Sequence, residues 1–230
     1  MSNDFFQFKQ FIVRQDSCAM KVGTDGTLLG AWARGGERIL DIGTGTGLIA
    51  LMMAQRFEKA IVDAIDIDAE ACDQARRNAA ESPFRERINV CNKSLQEFAG
   101  QETVKRYDSI VSNPPYFVHS LKASDERRSM ARHAETLSYY DLMKCSSNML
   151  SEDGEMSVVI PFDCRKNLEE AAILSGLFSS RICAVKTKPV KAPKRYLLAF
   201  TKHPTTVVQE ELVIGSDEYV EMMKDFYLKL

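Results

Sequence analysis

Cysteine and histidine are sparse in this chain, and both are scattered. The six cysteines (Cys18, Cys72, Cys91, Cys145, Cys164 and Cys183) never come closer than 19 positions to one another, so there is no CxxC redox motif and no metal knuckle. They read as small buried apolar groups of a reducing compartment. His119, His133 and His203 show no ligand spacing either, and no metal is expected. Long apolar runs are missing as well. The longest, Leu48 to Ala54, is far too short to span a bilayer, and the opening MSNDFFQFKQF has no basic region followed by an apolar core. A cytoplasmic protein without a membrane partner is expected. Repeats, low-complexity tracts and linkers are absent, which leaves one continuous domain as the simplest organisation.

What is present is an alternation of short apolar runs and amphipathic stretches. ERILDI (37–42), AIVDAI (60–65), INVC (88–91), YDSIVS (107–112) and EMSVVI (155–160) read as strands. Helices are expected over 48–57, 69–81, 139–150 and 164–175, with SEDG as the turn before the fifth strand. This pattern predicts a parallel sheet covered by helices on both faces. SRICAVKTK (180–188) and RYLLAF (195–200) follow with only a short Pro-containing loop between them, and such a loop joins antiparallel neighbours. Residues 1–36 then form an N-terminal cap segment, 37–178 the core, and 179–230 the late hairpin and a C-terminal helix from about Asp217 to Leu228.

LDIGTGTGLIA (40–50) follows a strand and opens a helix, the setting of a nucleotide-binding glycine loop. Three alternate glycines let backbone approach a ligand and cost more entropy than a plain turn requires. A dinucleotide fingerprint would need glycine where Leu48 stands, and a Walker loop would need Gly-Lys-Ser/Thr, so a pyrophosphate ligand is disfavoured. D-x-G-x-G-x-G instead resembles the first motif of the class I S-adenosylmethionine-dependent methyltransferases. Their Rossmann-like sheet has seven strands, the last inserted antiparallel.

That resemblance implies that Asp41 steers the methionine ammonium, directly or through water, while Gly43, Thr44, Gly45 and Gly47 line the ribose. Asp66 ends the second strand about where a ribose diol is bound in such folds. Ile67 would form one wall of the adenine pocket, and Asp68 reads as the N-cap of the next helix. Many relatives carry an Asp toward the adenine amine after the third strand; the matching position here is Ser94, a weaker acceptor, with Leu95 behind it.

NPPYF (113–117) places an amide, two prolines and two aromatics directly after the fourth apolar run. Prolines continue neither a ladder nor a helix, so these residues form a stiff corner. NPPY resembles the signature of methyltransferases acting on a planar nitrogen, either an exocyclic base amine or a side-chain amide. Asn113 and the Pro114 carbonyl are then two acceptors for its N–H groups, Pro115 holds that carbonyl outward, and Tyr116 offers a stacking face.

Net charge is −2, yet from Arg181 to Gln209 there are seven Lys or Arg and no acid. Lys186, Lys188, Lys191, Lys194 and Arg195 would form a basic finger. A second cationic stretch, HSLKASDERRSMARHAE (119–135), carries Lys122, Arg127, Arg128 and Arg132 just after the clamp. Both fit phosphate contacts. FKQFIVRQDSCAMKVGTDGTLLGAW (8–32), NPPYF, the ARH segment and the closing DFYL (225–228) together resemble the bacterial tRNA(Val) adenine-37 N(6)-methyltransferase family over nearly the whole chain. The resemblance implies S-adenosylmethionine as donor, an anticodon-loop adenosine of a tRNA as acceptor, and Lys21, Thr24 and Asp25 near the methionine end of the cofactor pocket. Two other readings stay open: a protein-glutamine N(5)-methyltransferase acting on release factors, and a non-catalytic RNA-binding relative. Nothing in the residues discloses an oligomeric state, and a monomer is expected.

Overall fold

The computed structural model describes residues 4–16, 21–100, 106–115 and 137–229. Its centre is a run of parallel strands: β3 (Arg38–Ile42), β4 (Ile61–Asp66), β5 (Ile88–Asn92), β6 (Tyr107–Ser112) and β7 (Leu150–Pro161). Most of them are apolar on both faces because helices cover both faces. β8 (Phe178–Lys186) and β9 (Arg195–Thr201) form the expected hairpin, and β9 is antiparallel to both β7 and β8. A further strand, β10 (Val208–Val213), pairs parallel to β8. The sheet therefore has eight strands, in the order β10-β8-β9-β7-β6-β3-β4-β5. The eighth went unforeseen because VQEELV is an edge strand with a largely exposed, acid-bearing sequence and no apolar alternation. SEDG is likewise not a turn. Residues 150–154 already belong to β7, where Leu150 pairs with Tyr107 before a register shift to Ser109 and Glu155.

One face of the sheet is covered by α1 (Thr24–Trp32) and α2 (Leu48–Arg56); α5 (Tyr139–Met149) and α6 (Arg165–Leu174) lie on the other. α3 (Ala69–Ala80) is capped by Asp68, whose carboxylate accepts from the Glu70 and Ala71 N–H groups. α4 (Leu95–Ala99) follows β5, and α7 (Asp217–Met223) is shorter than the sequence implies.

The N-terminal segment is ordered by what it touches. β1 (Phe5–Gln7) and β2 (Ile12–Arg14) pair as a hairpin. Asn78 of α3 is fully buried beneath it, accepting from the Arg14 N–H and donating to the Arg14 and Thr46 carbonyls. Phe8 stacks on Phe11 and Tyr227, the Lys9 N–H donates to the Phe226 carbonyl, and the Tyr227 hydroxyl donates to Thr27 of α1. DFYL thus clasps the cap segment and α1.

α1 approaches α2 more closely than ordinary side chains allow. A Cβ on Gly26 would stand 3.1 Å from Leu48 Cδ2, and one on Gly30 only 2.9 Å from Met52 Cβ. The two glycines of GTLLG, four apart, clear that face of the helix. Gly30→Ala is expected to lose about 1–3 kcal/mol of stability through overpacking. Chemical denaturation checks this, and an unchanged midpoint would show that the two helices separate without cost.

At the end of the sheet where β8 and β10 meet α1, Glu155 is almost fully buried. Arg181 Nη2 donates to it at 2.7 Å, and the Arg181 guanidinium lies 3.9 Å over the Trp32 ring. Trp32 Nε1 donates to Glu210 on β10.

Candidate active site

Parallel strands deliver their loops to the carboxyl edge, where open α/β sheets bind ligands. β3 ends there in the glycine loop. Gly43, Gly45 and Gly47 have φ of 71°, 56° and 81°, a left-handed backbone that L side chains rarely adopt. A Cβ on Gly43 or Gly45 would meet only open space, whereas one on Gly47 would press on Ala75 of α3 at 3.3 Å. The first two glycines leave open space over the loop, and the third closes the helix against α3.

Asp41 lies under the loop, wholly buried, and one carboxylate oxygen accepts from the Thr44 hydroxyl (2.7 Å) and the Ala50 N–H (3.1 Å). Its other oxygen has no protein partner. Burial pushes the carboxyl up to about 7, against the lowering effect of the two hydrogen bonds. Asp41 organises the loop from beneath, and its unpartnered oxygen suits a nearby cation or bridging water. Asp66 ends β4; one of its oxygens accepts from the Gly45 N–H (2.8 Å) and the other from the Asp68 N–H (3.0 Å). Each oxygen keeps a second lone pair.

Above the loop is a cavity of about 340 Å³. Lys21, Thr24, Asp25, Gly43, Thr44 and Gly45 line it, as does Asn113, so the cap segment, the glycine loop and the NPP corner meet in one place. The Ser112 hydroxyl donates to the Ile42 carbonyl at 2.9 Å, which ties the tip of β6 to the tip of β3 and holds Asn113 beside the loop. Pro114 is buried and Pro115 exposed, as a rigid corner with one outward face requires.

One cavity residue comes from the stretch read as a basic finger. Arg195 lines this cavity and forms an ion pair with Asp25. An antiparallel strand begins where its parallel neighbours end, so the first residue of β9 falls on the ligand edge, opposite Pro161. The reversal at the hairpin was the signal that could have placed Arg195 there. Cations from Lys21 and Arg195, an acid from Asp25 and open space over two glycines together fit a ligand with a zwitterionic amino-acid end, such as S-adenosylmethionine.

Residues 27–190 match the Methyltransferase small domain family. A curated relative from Parabacteroides distasonis, a tRNA1(Val) (adenine(37)-N6)-methyltransferase, is 49% identical, and the alignment covers 100% of both chains. A relative of the same name from Bacteroides fragilis is 47% identical, again over 100% of each. The chain belongs to the tRNA1(Val) (adenine(37)-N6)-methyltransferase family. A predicted O-methyltransferase from Agrobacterium tumefaciens shares the fold, with a TM-score of 0.60 at 22% identity over 84% of this chain and 90% of that one.

In this member of the tRNA1(Val) methyltransferase family, Asp66, Ile67, Ser94 and Leu95 stand at the carboxyl ends of β4 and β5, outside the lining of that cavity. Ile67 is 69% exposed, an uncovered apolar face beside Asp66. Ser94 caps α4: its hydroxyl donates to the Glu97 carboxylate and accepts from the Glu97 N–H, and Leu95 is buried behind it. The cap takes the hydroxyl's proton and one of its two lone pairs, so a single acceptor site remains for an adenine amine.

Lys186 pairs with Glu211 at 2.7 Å, Arg181 with Glu155, and Lys202 with Glu152. Among the described residues no acid pairs with Lys188, Lys191 or Lys194, and the finger's uncompensated charge reduces to these three. Tyr116 and the cations Lys122, Arg127, Arg128 and Arg132 lie outside the described residues. Within those residues, no helix is long and apolar enough to cross a membrane, and no group of three potential metal ligands occurs.

Proposed function

We propose that this protein transfers a methyl group from S-adenosylmethionine to the exocyclic N(6) amine of an adenosine in RNA, adenosine 37 of tRNA(Val). The observation that carries the reading is that Asn113, on the NPP corner, and the glycine loop line one cavity. S-adenosylmethionine supplies the methyl on a sulfonium. Asn113 and the Pro114 carbonyl accept from the two N–H groups of the incoming amine. Because that nitrogen's lone pair is delocalised into the ring, accepting a hydrogen bond from each N–H raises its electron density and orients it without prior deprotonation, and the one proton lost as the methyl is gained passes to solvent. Lys21, Asp25 and Arg195 hold the amino-acid end, Asp66 and Ile67 the nucleoside end. An anticodon-loop base is unpaired, so extruding it costs less than opening a duplex.

Transfer of labelled methyl to three substrates tests the reading: an unmodified tRNA(Val) transcript, the same transcript with its adenosine 37 replaced, and a release factor. Label on the first alone is expected. Label on the release factor would move the enzyme to the glutamine class.

Lys188, Lys191 and Lys194 neutralise phosphates from the hairpin. Replacing all three with Ala is expected to weaken tRNA binding and to flatten its logarithmic salt dependence by up to about 0.7 for each single-strand phosphate left without its lysine. A slope equal to that of the unaltered protein would assign these lysines to solvent.

A further inference from the structure

Beside the NPP corner the carboxyl edge carries an aromatic side chain with no role in the cavity. Phe162, immediately after β7, is 48% exposed. Its inner face is fixed: the ring stacks on the buried Tyr196 at 5.8 Å and 26°, and Tyr196 is held in turn under the Arg165 guanidinium at 4.8 Å. Its backbone is fixed too, since the Phe162 N–H donates to the carbonyl of Lys194 in the basic hairpin. Val158 pairs with Ser112 in the β6–β7 ladder, so Asn113 is level with Val159 and Phe162 stands about three residues, roughly 10 Å, further toward the ligand side. Scattered exposed apolar side chains are ordinary on protein surfaces. This one is a rigid aromatic face set between the target-amine acceptor and three lysines without described acid partners.

We propose that Phe162 is a stacking platform for a nucleobase flanking the methylated adenosine, with Tyr196 and Arg165 as the positioning residues that hold its ring. The proposal rests on the RNA-methyltransferase reading above and goes beyond it by naming where a second base is read. A ring that stacks on one side and faces water on the other takes any base, because every base presents a π-face. The adjoining lysines match the phosphates on either side of that base. The platform therefore sets the register of the loop and leaves base identity to other groups.

The test uses the full-length enzyme, its tRNA(Val) transcript, and transcripts carrying 2-aminopurine at each position neighbouring adenosine 37. Phe162→Ala is expected to lower kcat/KM for the transcript roughly 5- to 150-fold, the range for loss of one base–aromatic stack. S-adenosylmethionine affinity and the salt slope of tRNA binding should remain as in the unaltered enzyme. One 2-aminopurine position should be quenched by the unaltered enzyme and not by the variant. Phe162→Trp should restore activity and Phe162→Leu should not, which separates stacking from apolar bulk if the alanine variant folds poorly. Equal kcat/KM in Phe162→Ala, or full rescue by Leu, overturns the platform. Absence of methylation by the unaltered enzyme overturns the RNA reading itself, a different result from failure of the variant alone.

Discussion

Asn113→Ala is expected to turn over about 10²- to 10³-fold more slowly at saturating tRNA, the range seen when one preorganised polar group is removed from a reacting centre. The side chain lines the cavity beside the glycine loop, held there by the Ser112–Ile42 hydrogen bond. Removing the amide leaves that backbone arrangement intact. It deletes one of two acceptors for the target amine, so the nitrogen loses both electron density and orientation. Cofactor binding should change only a few-fold, because the charged groups Lys21, Asp25 and Arg195 lie elsewhere in the lining. Single-turnover methyl transfer and calorimetric titration of S-adenosylmethionine separate the two quantities. A variant that methylates at the original rate would remove Asn113 from the reacting centre.

Glu155→Ala is expected to be the most destabilising single change at the far end of the sheet, at about 3–5 kcal/mol, because it strands the largely buried Arg181 without its carboxylate. At about two to four degrees per kcal/mol for a chain of this size, the melting temperature should fall by roughly 6–20 °C. The Arg34 contact, 3.6 Å from the same carboxylate and 66% exposed on the arginine side, adds little. The contrast to measure is Glu155→Met together with Arg181→Met. An apolar pair of similar bulk removes both charges, and most of the loss should be recovered. A single variant melting within about a degree of the unaltered protein would show that the pair is solvated.

Strands buried on both faces were legible because burial demands continuous apolar runs: YDSIVS was bounded to the residue and ERILDI to within one, whereas EMSVVI covered only the second half of β7, whose partly exposed start at 151–153 shows no such run. β10 was not, since an edge strand bearing Glu210 and Glu211 needs no apolar pattern to pair. The β1–β2 hairpin and α1 also escaped periodicity. Phe5–Gln7 is exposed, and α1 is buried nearly all round, so it shows no polar face. At the site, the glycine loop and the NPP corner carry their geometry in residue type: glycine for positive φ and proline for a stiff turn. Arg195 could not be placed that way. Its seat depends on strand order and direction, which the run of lysines around it does not disclose. The specificity of KVGTDGTLLGAW was visible as a pattern, but its cause, Gly26 and Gly30 admitting α2, needed the neighbouring helix.

The clasp of residues 226 and 227 on the cap segment and α1 bears on synthesis. Phe8, Lys9 and Thr27 emerge from the ribosome about two hundred residues before their partners Phe226 and Tyr227. Each of these pairings spans about two hundred positions or more, the kind of closure that comes late in folding because the connecting chain must be ordered first. The Tyr227 contact to Thr27 of α1, the helix that carries Asp25 into the cavity, is therefore expected among the last to form.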